Sequence, residues 1–373
     1  MSFWANFNKR NQFFVLSALW IIVQTILISK LGIVTTLEAT KYIDEANHLL
    51  QYGYLNTPNH YLYFTEILLI ALSLKLRVSF AVIVGLQLLL NIIATIMFYR
   101  LAAYFLKKSM LAFVATFFFI INVNYQVYNS FLFTESIFYS LTIIYSSYLL
   151  RLENISLKEA IVLFLLLSVL CVTRPTGILF LGATVVYAYF RFFKNFNALT
   201  RATLVLSLTV VFLTIINAML QAGGSLDFML PLKKENIICG VNTVNNINID
   251  TIEKGNSMKG LLYFIFNNGH EFLKMGWLKT LAFFGMLRTY YSLPHNIYLV
   301  LFFYPVYLLA LAGTWKRLKE TNATAIYCLA IILLYCITTF LTCDDWHNRF
   351  ILTVSPFLFL LAFAAFNKKI EAA

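Results

Sequence analysis

In this largely apolar chain the carboxylates, arginines and histidines fall in a few short stretches, and these are the places where chemistry could be done. The first is TKYIDEANHLLQYGYLNTPNHYLY, Thr40 to Tyr63, which follows a long apolar run and carries the adjacent acids Asp44 and Glu45. An ionised group beside hydrocarbon must stay hydrated or be paired, so two acids at such a place are candidates for proton transfer rather than for stability. With Lys41 to Leu50 helical, Asp44 and His48 stand on one face, Glu45 lies on the adjoining stripe, and Gly53 is a stop. Further along come Glu135 in SFLFTESIFYS, Arg174 in CVTRPTG, Arg288 and His295 in RTYYSLPHN, and His347 and Arg349 in CDDWHNRF. A guanidinium stays charged and grips phosphate oxygens in pairs, and a histidine beside it completes a cradle for a phosphate. A carboxylate within hydrogen-bond reach can take a proton from an attacking hydroxyl.

Each stretch also has a reading without chemistry. The Asp44 helix could lie on the headgroups as a solvated amphipathic surface. Glu135 in a first helical turn favours the macrodipole. Arg174 before a proline suits a tight turn, with its guanidinium reaching toward headgroups. Asp344, Asp345 and Arg349 could form a local salt bridge that caps the last span.

The elements that position these residues are membrane helices. The chain of 373 residues is 61% hydrophobic, 17% aromatic and only 12% charged, so most segments have no polar face to show to water. The net charge of +12 sits as short basic punctuation between apolar runs, which speaks for membrane orientation and against nucleic acid. The five cysteines lie in or beside apolar runs without CxxC spacing and suggest neither a disulfide framework nor a zinc knuckle. No internal repeat is present, and the N-terminal apolar run lacks a small-residue cleavage site and reads as an uncleaved first span.

With about 20 apolar residues needed to cross hydrocarbon, spans are predicted near 13–33, 79–99, 109–123, 131–150, 158–173, 176–193, 201–220, 295–313, 324–342 and 350–366. The run 61–76 decides sidedness. Kept as a juxtamembrane helix, with Glu66 and Lys75 on its polar side, it leaves Lys9, Arg10, Arg100, Lys107, Lys108, Arg151, Lys158, Arg191, Lys194, Arg201, Lys316, Arg317, Lys319, Lys368 and Lys369 together on the inner side. All five histidines, Asp44, Glu45, Glu135, Asp344, Asp345, Arg174, Arg288 and Arg349 then fall on the outer side, where the protein is expected to work. The predicted fold is an all-α polytopic bundle of about ten spans with outer juxtamembrane helices. Its parts are an N-terminal catalytic module 1–220 with a first outer loop 34–78, an outer loop 221–294, and C-terminal helices 295–373. The loop 221–294 includes the Asn-rich segment Val241 to Asp250 and an amphipathic or re-entrant lid, Lys274 to Leu293.

Sugar transfer on an outer face needs a donor that crosses the membrane, and a polyprenyl-phosphate lipid meets that need. The acceptor hydroxyl would attack the anomeric carbon while phosphate leaves, with a carboxylate as base and fixed cations facing the departing phosphate. The ordered set Asp44-Glu45, Tyr52-Gly53, Thr134-Glu135, Thr173-Arg174-Pro175, and Arg349-Phe350 with Pro356 resembles the GT-C glycosyltransferases that use polyprenyl-phosphate sugars, in the manner of the protein O-mannosyltransferase and lipid A aminoarabinose transferase superfamily. The resemblance implies a helical bundle with a cavity on the outer side, an inverting reaction and Asp44 as general base. It also implies Glu45 and Glu135 as orienting acids, for the acceptor or for a divalent ion such as Mg or Mn held by Asp44 and Glu135. Lipid phosphate would fall to the late arginine, with Arg174, Arg288, His48, His295 and His347 in support. The chain departs from many members in lacking a soluble C-terminal domain, and it has no Asp-x-Asp triplet in the second outer loop, so no obligate cofactor is implied. The acceptor would be a glycan, lipid or protein, and the location a bacterial inner membrane with the site facing the periplasm. Two other readings are a polymerase of lipid-linked glycans and a flippase or transporter of them. A transporter needs polar groups along a midplane path, and the span interiors offer Gln24, Gln87, Asn91 and Asn217.

Overall fold

The computed structural model describes residues 9–192, 196–221, 229–241, 255 and 257–367. Lys194, Lys368, Lys369 and nearly all of the Asn-rich segment lie outside the described residues. In chain order the helices are α1 (Lys9–Leu31), α2 (Glu38–Tyr52), α3 (Phe64–Lys75), α4 (Ala81–Leu106), α5 (Ser109–Ile121), α6 (Val123–Gln126), α7 (Thr134–Arg151) and α8 (Leu157–Thr173). They continue as α9 (Ile178–Arg191), α10 (Ala198–Gln221), α11 (Met229–Lys233), α12 (Met258–Asn267), α13 (Gly269–Gly285), α14 (Leu293–Lys319), α15 (Ala323–Leu341) and α16 (Arg349–Ala364). Short 3₁₀ turns at Pro58–Tyr63, Val127–Ser130 and Pro175–Gly177 join them. No strand occurs among the described residues.

A helix covers each of the ten predicted spans, but five of them, α1, α4, α10, α14 and α15, are long and apolar enough to cross a membrane. The number is six if α5 and Val123–Ser130, bent by 60°, count as one span. The others fall short for physical reasons. The 17 residues of α8 and the 14 of α9 rise less than the hydrocarbon thickness of about 30 Å, and the 18 residues of α7 include Glu135 and several serines. The 12 residues of α3 are likewise too few to cross.

Contacts between helices divide the chain into two compact units, at places other than the topological division 1–220, 221–294 and 295–373. The first unit comprises Met1–Ile178, Leu309–Arg317 and Phe359–Ala373; the second comprises Leu179–Leu308 and Leu318–Leu358.

In the first unit α4 packs against both α5 and α7, and α1 lies on α5. Lipid tails are as apolar as leucine, so burying apolar surface gains little between membrane helices and the contacts depend on close packing and interhelical hydrogen bonds. The side chains supply both. Phe98 packs on Phe119 and Tyr125 stacks on Tyr139 at 4.6 Å, while Trp20 donates to Asn91 at 2.8 Å and Tyr99 to Gln12 at 2.8 Å. Gln24 donates to Gln126 at 2.9 Å, and Asn129 extends that network to Ser136.

In the second unit α13 packs against α15, with Gly276 beside Phe340 so closely that a Cβ would meet the ring at 2.2 Å. A disulfide joins Cys239 to Cys343, Cα atoms 5.3 Å apart, and corrects the expectation of no disulfide. Sequence spacing could not show it, because 104 residues separate the two cysteines. The backbone reinforces the link: Cys239 N donates to Asp344 O at 2.8 Å and Asp344 N to Ile237 O at 2.9 Å.

Candidate functional site

In the first unit the site is built on α2, α3, the start of α7 and the turn after α8. The α2 helix ends at Gly53, whose left-handed backbone (φ 79°) lets its N–H reach Leu49 O, as the sequence predicted. Its buried stripe is Ala39, Tyr42, Glu45 and Ala46, so Glu45 points inward and Asp44, one position off the stripe, is exposed. Glu45 pairs with His60 Nδ1 at 2.9 Å and accepts from Asn56 N, and thereby holds the Pro58–Tyr63 turn against α2. His48 lies between Tyr52 and Tyr54, with Nδ1 3.0 Å from Tyr54 O, and serves the loop rather than a pocket with Asp44.

Glu135 is wholly buried in the first turn of α7. The RPTG turn brings its partner. Arg174 is extended, as a residue before proline must be, and Gly177 lies so near Leu170 that a Cβ would sit 2.5 Å from Leu170 O. That tight return aims the Arg174 guanidinium at Glu135, to which Nη1 donates, with the Phe138 ring centroid 5.9 Å away. Thr134 donates to the other Glu135 oxygen at 3.4 Å, and Thr173 to Thr65 at 2.9 Å, fastening α3 to the end of α8. Buried Tyr42 feels both members of the pair: burial and then the Glu135 charge push its phenol upward, and Arg174 pulls it down. Lys41 lies 4.5 Å over the Tyr63 ring.

Glu66 is where the sequence reading departs furthest from the structure. Expected on the polar side of α3, it is fully buried on the stripe of Ile67, Ile70 and Ala71, and neither carboxyl oxygen has a hydrogen-bond partner among the described residues. The signal was present in FTEILLIALSL, where Glu66 and Ile70 are four apart and therefore share a face.

The second unit holds the later residues, and it commits Arg288 and Arg349 internally. Arg288 is 2% exposed; its Nη2 donates to the Asp344 carboxylate and to Asp345 O, and Nη1 to Ala282 O and Leu287 O. Arg349 pairs with Asp345 one turn earlier at 2.9 Å, the local salt bridge that the sequence left open. Neither guanidinium is turned outward as a vacant phosphate cradle. Burial pushes the Asp344 carboxyl up to about 7, against the opposing pull of Arg288. His295 stacks flat on Tyr291 at 4.3 Å, and His347 lies over Trp346 at 3.6 Å with its backbone N–H donating to Asp345. On α13, outside the predicted set, Lys279 is fully buried, its ammonium has no hydrogen-bond partner among the described residues, and burial lowers it to about 8.

A divalent ion held by Asp44 and Glu135 does not fit these side chains. Arg174 and Thr134 already take the Glu135 oxygens, Asp44 faces outward, and among the described residues no three of His, Cys, Asp or Glu are placed to hold a metal.

Compared with protein-family models, with curated proteins and with solved structures, the chain matches none. The geometry therefore carries the functional reading by itself. It offers an exposed carboxylate, Asp44, on a helix whose buried Tyr42 lies within electrostatic reach of the paired Glu135 and Arg174.

Proposed function

We propose that the chain is an integral-membrane glycosyltransferase of the GT-C kind, moving a sugar from a polyprenyl-phosphate donor to an acceptor hydroxyl on the outer face, with inversion. The observation that carries this reading is the assembly of α2, Glu135 and Arg174 at one place in the first unit, although they come from three distant stretches of chain. Asp44 is the base in this scheme. Exposed and with no hydrogen bond or ion pair among the described residues, it is free to take the acceptor proton as the hydroxyl attacks. Glu45 shapes the loop beside it through His60, and Glu135 with Arg174 supplies a rigid charged floor. The ten-span topology belongs to the same proposal, with α7, α8, α9 and α16 crossing as short helices and α3 and α13 lying at the outer interface. The disulfide supports an outer location for Cys239 and Cys343, since such bonds persist in oxidising compartments such as a bacterial periplasm.

A transporter is less well supported. Most of the interior polar groups that could mark a path are held locally: Gln24 by Gln126, Asn91 by Trp20, Asn217 by Met258 N, and the Gln87 amide N–H by Phe131 O.

The test is Asp44→Asn, purified in detergent, with binding of polyprenyl phosphate and sugar release from a panel of polyprenyl-phosphate monosaccharides measured on the same preparation. The expected outcome is transfer reduced about 10²-fold or more with lipid binding retained. Full transfer in the variant would remove Asp44 as the base.

A further inference from the structure

The first unit buries two glutamates, Glu135 and Glu66, within electrostatic reach of each other, and pairs one of them with Arg174. Glu135 and Glu66 are both 0% exposed, and the cation beside them, Arg174, is committed to Glu135. The hydrogen bond of Thr173 to Thr65 joins the residues immediately before Arg174 and Glu66, and so holds the start of α3 against the end of α8, next to the pair. Among the described residues, the other elements packed on α3 offer no second cation for Glu66. From α2 come Tyr42 and Glu45, from the Pro58–Tyr63 turn His60 and Tyr63, with His60 spent on Glu45, and Lys41 lies over the Tyr42 and Tyr63 rings. The one charged residue of α4, Arg100, is exposed, and of those of α8, both in its first turn, Lys158 is exposed and Glu159 half-buried in the capping box with Ser156. Two ionised carboxylates against one guanidinium would leave a buried charge without a partner, which costs several kcal/mol.

We infer that Glu66 is held as a neutral carboxylic acid at pH 7 and acts as a positioning residue, leaving the guanidinium of Arg174 wholly to Glu135. Burial and the Glu135 charge both push the Glu66 carboxyl well above the usual range, in the same direction as the geometry. Loss of the proton would set Glu66 against Glu135 for the same guanidinium. The neutral state itself follows from burial and charge; the positioning role rests on the function proposed above.

Infrared spectroscopy reads the proton directly. The wild-type protein, in detergent at neutral pH, should show a carboxylic-acid C=O band that disappears from the difference spectrum on Glu66→Gln, which also separates it from any contribution of Asp344. Should Glu66→Gln fail to fold, Glu66→Met, of similar volume and uncharged, replaces it. A wild type without the band, or a band unchanged in the folded variant, overturns the inference. Stability gives a second readout. A carboxyl raised in the folded state stabilises fully below its ordinary value and loses that contribution as pH rises through the folded value. The wild-type melting temperature should therefore fall on alkalinisation more steeply than that of Glu66→Gln, and parallel curves would count against the inference. In the transfer assay Glu66→Gln should move the alkaline limb of the pH profile upward. An acid band without any measurable transfer in the wild type would leave Glu66 neutral and refute the proposed reaction instead.

Discussion

The guanidinium of Arg174 donates to the carboxylate of Glu135, 39 residues earlier in the chain; Glu135 is fully buried and Arg174 largely so, its side chain 11% exposed. Removing one partner from such a pair strands the other, whereas replacing both with neutral groups does not. Arg174→Gln should therefore destabilise the protein by about 3–5 kcal/mol, read as a lowered melting temperature in detergent. Adding Glu135→Gln should restore most of the loss. A double variant that loses the sum of the two single losses would show that the pair does not act as a unit.

The disulfide makes a chemical prediction. Alkylation of the denatured, unreduced protein should label three cysteines, Cys171, Cys328 and Cys336, with Cys239 and Cys343 labelled only after reduction. Mass spectrometry counts them. Cys343→Ser should cost about 2–5 kcal/mol of stability, because it frees a long loop of the unfolded chain. Five labels without reductant would refute the bond.

Lys279 supplies a pH dependence of known sign. Its ammonium, lowered from 10.5 to about 8 by burial, is a base that the folded state prefers neutral. The contribution to stability is present above about 10.5 and is lost as pH falls through about 8, a difference on the order of 3 kcal/mol. Lys279→Met should accordingly raise the melting temperature at neutral pH, and its advantage should shrink as the pH approaches the ordinary lysine value. A variant less stable than wild type at neutral pH would mean that the ammonium is satisfied in the membrane by a group such as a lipid headgroup.

The sequence by itself determined that the chain is helical, with several helices long and apolar enough to cross a membrane, and where several of them end. Those features depend on local physics: an apolar run long enough for lipid, a glycine free to adopt the left-handed cap at Gly53, and a proline that extends Arg174 before a turn. It also identified the acids and arginines worth attention. Only the tertiary structure decided which of them are used and how. Asp44 and Glu45 are neighbours in sequence, yet α2 packs through one stripe, so a rotation of one residue separates an exposed carboxylate from a buried one. Arg288 and Arg349 have the composition of a phosphate cradle, but Asp344 and Asp345 claim them once the chain folds. Cys239 with Cys343, and Lys279, escaped the sequence reading for one physical reason: burial and partnership are properties of the faces that helices turn to one another, and residue spacing does not specify which faces will meet.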